Sequence, residues 1–268
     1  MKTASVWMTA LTACCCGAAA AAPRTPGKPA LSDPKDFALK GVSLVKISAD
    51  SGGILVRTGR KGAARVMTVG SLENCAITAE VQGSELVIEA KHPFMKTCLA
   101  GFAVEADPDM PVRAYSGSGD IEISSRKSAV EADTGSGSIL VRDAIGDLVL
   151  RSGSGDIKAE AATASVRAQT GSGKIELRRL LGSAHVMTGS GGILLEWARP
   201  PKSGSAEVRS GSGSVDLVFP AGTKLASSVR TGTGSALNEL GETPGAEWRV
   251  SAMSGTGNVS IRKPRPKK

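Results

Sequence analysis

The sequence predicts an all-β chain wound as a single-stranded β-helix, a β-solenoid with coils of about 18 residues, and three observations carry that expectation. An octapeptide is written five times: SGSGDIEI from Ser116, TGSGSILV from Thr134, SGSGDIKA from Ser152, TGSGKIEL from Thr170 and TGSGGILL from Thr188. Its first glycines, Gly117, Gly135, Gly153, Gly171 and Gly189, stand 18 residues apart, and weaker copies at Gly211, Gly232 and Gly255 follow at spacings of 22, 21 and 23. A repeat this short has no room for helices. Apolar residues also alternate on both sides of each glycine, which is strand spacing with one face in and one out.

The chain opens with Lys2, an apolar stretch from Ala4 to Cys16 and a run of alanines before Pro23, the pattern of an export signal over residues 1–22. That stretch is too short to cross a bilayer as a helix. Two cleavage readings stand. Leu11-Thr12-Ala13-Cys14 resembles the bacterial lipobox, which would leave Cys14 lipidated, while the small residues through Ala19 and Ala21 suit ordinary signal peptidase. With the ordinary cut only Cys75 and Cys98 remain, a pair expected to bridge in an oxidising compartment; the alternative is two separate buried thiols. Residues 23–35 carry Pro23, Pro26, Pro29 and Pro34 and read as a stiff linker that cannot pack a core.

The solenoid domain is expected over residues 36–262. At its start, Val45, Ile47 and Ala49 with Ile54 and Val56 fit one eroded coil, and Ile77, Ala79 and Val81 with Leu86 and Ile88 fit another. Atypical end repeats are usual because they cap the stack. From Val112 the frame is clear. Three residues before the motif glycine stand Ala114, Ala132, Leu150, Ala168, Val186, Val208, Val229 and Ala252; five before it the column is apolar except at Ser227. After the glycine, pairs such as Ile121/Ile123, Ile139/Val141 and Ile175/Leu177 continue the pattern, and Asn238 alone departs from it. The residue just before the glycine is always Ser or Thr, a hydroxyl that can be buried if it bonds to its neighbours or to backbone. The glycines fit a tight corner, where φ above zero is permitted and no Cβ obstructs the turn.

These residues resemble the bacterial putative-adhesin family of β-strand repeats, a domain of unknown function marked by Gly-Ser-Gly-Asp/Ser-Ile before an alternating apolar strand. The resemblance covers about residues 36–262 and is clearest from Val112 to Leu217. It implies a β-helix on or beneath the bacterial envelope, and it brings no catalytic residues.

Chemistry is hard to place in this pattern. Gly171-Ser-Gly-Lys174 is not a phosphate loop, because that motif needs Gly where Ala168 stands and Ser or Thr where Ile175 stands. Asp120 and Asp156 share a column two coils apart, roughly 9.6 Å, a separation open to an acid/base reading. Arg113 beside Glu131, Asp133 beside Arg151 and Lys158 beside Glu176 instead suit a solvated cross-strand surface. His92 and His185 are single, so no metal site is expected.

The three longer spacings add residues after the second strand. On these insertions lie Trp197, Arg199, Phe219, Lys224 and Trp248, in a chain with 3% aromatic residues. Two readings stand: an aromatic and basic edge that binds a partner, or rings that fold back to plug the C-terminal end of the core. The basic tail, residues 263–268, follows Arg262; together they hold five cations in a chain of net charge +8. Export and the lack of interleaved aromatics disfavour nucleic acid. The expectation is an exported periplasmic or surface module, structural or adhesin-like, with no catalysis and no cofactor. Its partner would be an envelope glycan or protein, and it would meet the membrane only through a lipid anchor. The alternative is a carbohydrate-active β-helix enzyme.

Overall fold

The computed structural model describes residues 33–92 and 96–265. The expected signal, Cys14, nearly all of the linker and residues 266–268 lie outside them. No helix occurs among the described residues, and the strands form one sheet of 12 and one of 11.

The repeated octapeptide explains this division. Apolar residues two apart point to one side of a strand, and each Gly-Ser/Thr-Gly corner carries the chain from one sheet to the other. Val112–Ser116, Val130–Thr134, Leu148–Ser152 and Ser165–Thr170 lie in the 11-stranded sheet, and Ile121–Ser124, Ile139–Ala144, Ile157–Ala161 and Ile175–Leu180 follow in the 12-stranded one. Neighbours are parallel and one repeat apart, with Val130 opposite Leu148 and Ile139 opposite Ile157. The inward columns meet between the sheets, where Ala114, Ile123, Ala132, Val141, Leu150 and Leu177 are fully buried. Every inner coil shares its core and its ladder with two neighbours, so stability accumulates along the stack.

Both ends depart from chain order. Glu85–Lys91 and Gly101–Ala106 stack outside Leu44–Ala49 and Ile54–Thr58, after which the chain returns to lay Val112–Ser116 and Ile121–Ser124 on their other side. At the far end Trp248–Thr256 and Val259–Arg262 insert between the coil of Gly204–Ser212 and Val215–Val218 and the outermost coil of Ala226–Thr233 and Ala236–Asn238. Polarity explains the second exchange. The outermost coil is the one whose inward columns hold Ser227 and Asn238; there Asn238 Nδ2 donates to Ser227 Oγ at 3.1 Å and closes the core with a hydrogen bond.

One sequence expectation is corrected. Ile77, Ala79 and Val81 do not form a coil with Leu86 and Ile88, because Ala76–Gln82 folds back antiparallel on Glu85–Lys91 through Gly83-Ser84. With Gly83 at φ 59° and no Gly-Ser-Gly corner, the chain reverses within its own sheet. The partner of Leu86 and Ile88 in that coil is Gly101–Ala106, with Phe102 and Val104 buried. Lys35–Ala38 and Ala63–Val69, also antiparallel, finish the 12-stranded sheet at this end.

Candidate functional site

The corners come first because they carry the sequence signature. A Cβ on Gly153 would sit 2.1 Å from Gly135 O, and one on Gly135 2.3 Å from Gly117 O. None of the eight motif glycines has positive φ. The sequence argument from backbone freedom is therefore replaced by a steric one: the carbonyl of the neighbouring coil occupies the space of the side chain. Positive φ appears at the second glycine of the later copies, as at Gly213 with φ 148°.

The preceding hydroxyls form a continuous relay. Thr134 Oγ1 donates to Gly119 O at 2.9 Å, Ser152 Oγ to Gly137 O at 2.9 Å and Thr170 Oγ1 to Gly155 O at 2.9 Å. Ser152 Oγ also accepts from Gly155 N at 2.8 Å. Each of these three buried hydroxyls thus satisfies one carbonyl of the preceding coil, and Ser116, Thr134 and Ser152 also accept an N–H of their own corner. Asp120 and Asp156 serve the same joint, with Oδ1 accepting from Ser138 N at 2.7 Å and Lys174 N at 2.8 Å. Their carboxylates hold backbone rather than face each other as an acid and a base.

The aromatic insertions resolve between the two readings. Trp197, Phe219 and Trp248 are buried, with exposures of 2%, 0% and 0%. Trp197 stacks on Phe219 at 4.2 Å and meets Trp248 edge-on at 6.0 Å. These rings are core, which corrects the expectation of an aromatic edge. The physical reason is area: aromatic rings carry a large apolar surface, and the longer insertions make room for them. Trp197 Nε1 donates to Gly182 O at 3.0 Å. Arg199 and Lys224, from the same expected edge, are exposed.

Two features of the N-terminal half depart from the apolar repeat pattern. A disulfide joins Cys75 to Cys98 and ties the outer hairpin to the corner of its own coil. Arg126 is fully buried, its guanidinium donating to the carbonyls of Ala106 at 3.0 Å and of Asp107 and Met110. Burial pushes its pKa down to about 10, against the pull of Asp107 and Asp109, so it stays charged at neutral pH. Sequence reading missed Arg126. The signal was available, since it holds the offset at which later coils place Ala144 and Leu180, and each of the three follows a non-glycine residue in the left-handed region: Ser125, Asp143 and Arg179.

Surface charges are knitted across coils. Glu131 accepts from Arg113 at 2.7 Å and Arg151 at 3.1 Å, and the Arg113 bond, against burial, holds its carboxyl below the usual range. Glu176 pairs with Arg178 and Lys174 rather than with Lys158. His185 Nδ1 lies 3.1 Å from Glu207 Oε2. Among the described residues, no cluster of three His, Cys, Asp or Glu side chains is placed to hold a metal ion.

Concave features cross several coils among the described residues, one of them over Asp147, Ser165, Ser183 and Ser205. Beside the glycine corner of the 11-stranded sheet a trough of about 700 Å3 crosses several coils, walled by Asp133, Arg151, Gln169, Met187 and Arg209 and open over Gly153, Gly171, Gly189 and Gly211. It exists because long side chains line one flank and glycines leave the other bare.

A family model described as Toastrack DUF4097 matches residues 103–262, more than half of the chain. The chain belongs to the Toastrack DUF4097 family. The match begins inside Gly101–Ala106 and ends with Val259–Arg262, leaving the antiparallel strands Lys35–Ala38, Ala63–Val69 and Ala76–Gln82 outside. Among solved structures, this Toastrack chain is similar to a putative adhesin from Bacteroides fragilis NCTC 9343, with TM-score 0.56 and 14% identity over 88% of this chain and 97% of that one. A putative lipid binding protein from Parabacteroides distasonis ATCC 8503 aligns over 90% of this chain and 98% of its own, at 12% identity and TM-score 0.42. At such identities the first likeness speaks for the fold, and the second carries no argument. No curated protein matches.

Proposed function

We propose that this protein is an exported envelope module, a single-stranded β-solenoid spanning residues 36–262 that binds an extended envelope glycan and has no catalytic activity. The observation that carries the reading is the trough along the glycine corner. Its length follows the stack, so it suits a linear polymer, and its wall sets one apolar side chain, Met187, among the hydrogen-bonding Asp133, Arg151, Gln169 and Arg209, groups that suit a sugar chain with polar edges and apolar faces. Export rests on residues 1–22, and a lipid on Cys14 would anchor the module with residues 23–35 as its tether.

The alternative is a carbohydrate-active enzyme. It would need a carboxylic acid held protonated near neutral pH. Asp107, Glu131, Glu176 and Glu242 are instead held below the ordinary range, and Asp120 and Asp156 are occupied at coil joints.

The test is retention of purified envelope polysaccharide by immobilised protein, with release of reducing ends followed in parallel. Retention that falls in Gln169→Ala/Met187→Ala, without new reducing ends, is the expected result. Release of reducing ends that stops in Asp120→Asn/Asp156→Asn would make the enzyme reading correct.

A further inference from the structure

The rings at the C-terminal insertions are buried, yet the cations beside them are not, and this separation has a geometric consequence. Glu196 pairs with Val218 and Val218 with Arg262, so the strands ending at Trp197, Val218 and Arg262 finish side by side on three adjacent coils. The residues that leave those ends carry Arg199 and Lys202, then Lys224, then Lys263 and Arg265, all exposed. The loops are held at their bases. Lys202 follows buried Pro201, and Lys224 stands between buried Thr223 and Leu225, with Thr223 Oγ1 donating to Pro220 O at 2.7 Å. The loops thus leave strand ends on three successive coils, roughly 4.8 Å apart, and Lys202 and Lys224 stand two residues before Gly204–Ser212 and Ala226–Thr233, two coils apart.

The carboxylates nearby are largely engaged elsewhere. Glu196 pairs with Arg178, Asp216 with Arg262, and Glu242 accepts from Ser227. Glu239 accepts the backbone N–H of Lys263, and Glu247 lies on the connection of the outermost coil. None of the five cations makes an ion pair among the described residues, in contrast to Arg113, Arg142, Arg151, Arg178 and Arg209 on the sheet faces.

We propose that this basic edge docks the solenoid on the surface of an anionic lipid bilayer. Exposed cations on loops that leave the same corner of three adjacent coils can meet one plane together, and the trough lies on a different corner and does not include these residues. Pro264, between Lys263 and Arg265, has no N–H to donate to a sheet edge, and both cations stay exposed. Attraction is electrostatic and does not require the glycan reading to hold.

The test is co-sedimentation of the full-length protein with vesicles of phosphatidylglycerol and phosphatidylcholine, compared with vesicles of phosphatidylcholine alone. Binding to the anionic vesicles is expected at low ionic strength and is expected to be lost at roughly 0.5 M salt through screening. Each neutralised cation should weaken binding about fivefold. Thus Arg199→Gln/Lys202→Gln/Lys224→Gln should lose on the order of 100-fold with an unchanged melting temperature, and Lys263→Gln/Arg265→Gln about 25-fold. Equal binding to neutral vesicles would overturn the proposal, since it would reflect the apolar N-terminal segment. Full affinity in the triple variant would also overturn it by assigning attachment to the tail alone.

Discussion

At Gly153 the space for a side chain is already taken by a carbonyl oxygen of the neighbouring coil. Gly153→Ala should therefore be destabilising, by about 1–3 kcal/mol for forced separation of the strands, and Gly153→Val more so. Ser154→Ala, one residue on and exposed, should stay within about 0.5 kcal/mol. Chemical denaturation of the three variants checks both the sign and the contrast. Arg126 makes a second case: Arg126→Met removes the donor to three carbonyls, and at about 1–3 kcal/mol for an orphaned buried group the expected loss is several kcal/mol. A third case depends on pH. The Asp107 carboxylate accepts from Gly62 N at 2.6 Å, and that bond, against burial, holds its pKa below the ordinary value, helped by Asp109 N–H. A depressed carboxyl stabilises the fold above its unfolded pKa and ceases to do so as pH falls through its native one. Denaturation midpoints should fall below about pH 4, and Asp107→Asn should flatten that slope.

Among elements, the insertions and the hairpin show how the stack ends are secured. Trp197, Phe219 and Trp248 fill the interior of the last coils, so Trp197→Ala or Trp248→Ala should each cost about 3–5 kcal/mol. A collapse in melting temperature is the expected readout, and a folded, equally stable variant would contradict the burial. At the opposite end the Cys75–Cys98 bridge, with a separation of 23 residues, should contribute roughly 3 kcal/mol. Reduction or Cys75→Ala/Cys98→Ala should lower the melting temperature and raise proteolysis of the outer hairpin first.

Over the whole molecule, the exchange of coil order makes the two halves of the C-terminal end interdependent. Trp248–Thr256 lies between Gly204–Ser212 and Ala226–Thr233, so a chain truncated after residue 247 leaves the last strand without its parallel partner. Such a truncation should expose the apolar face of the preceding coil and aggregate, which size-exclusion chromatography would show. The polar cap of Ser227 and Asn238 closes the stack only while the inserted coil is present beneath it.

What the sequence by itself determined is whatever depends on local periodicity. Alternation around Ala132 and Ile139 defines strands with an inward face, Gly135 marks the corner, and Thr134 supplies the buried hydroxyl, because each requirement recurs at every coil and is written out each time. Ser227 and Asn238 stood out in sequence as exceptions in their columns, and only the structure put their coil outermost. Only the tertiary structure decided how the coils are ordered, since parallel neighbours at either end offer nearly the same local pattern and the choice depends on which faces remain to be covered. It also decided that Trp197, Phe219 and Trp248 turn inward while Arg199 and Lys224 stay outside. Composition places rings and cations together in those insertions, but apolar area is stabilised by removal from water and charge by remaining in it, and only the folded chain has an inside to separate them.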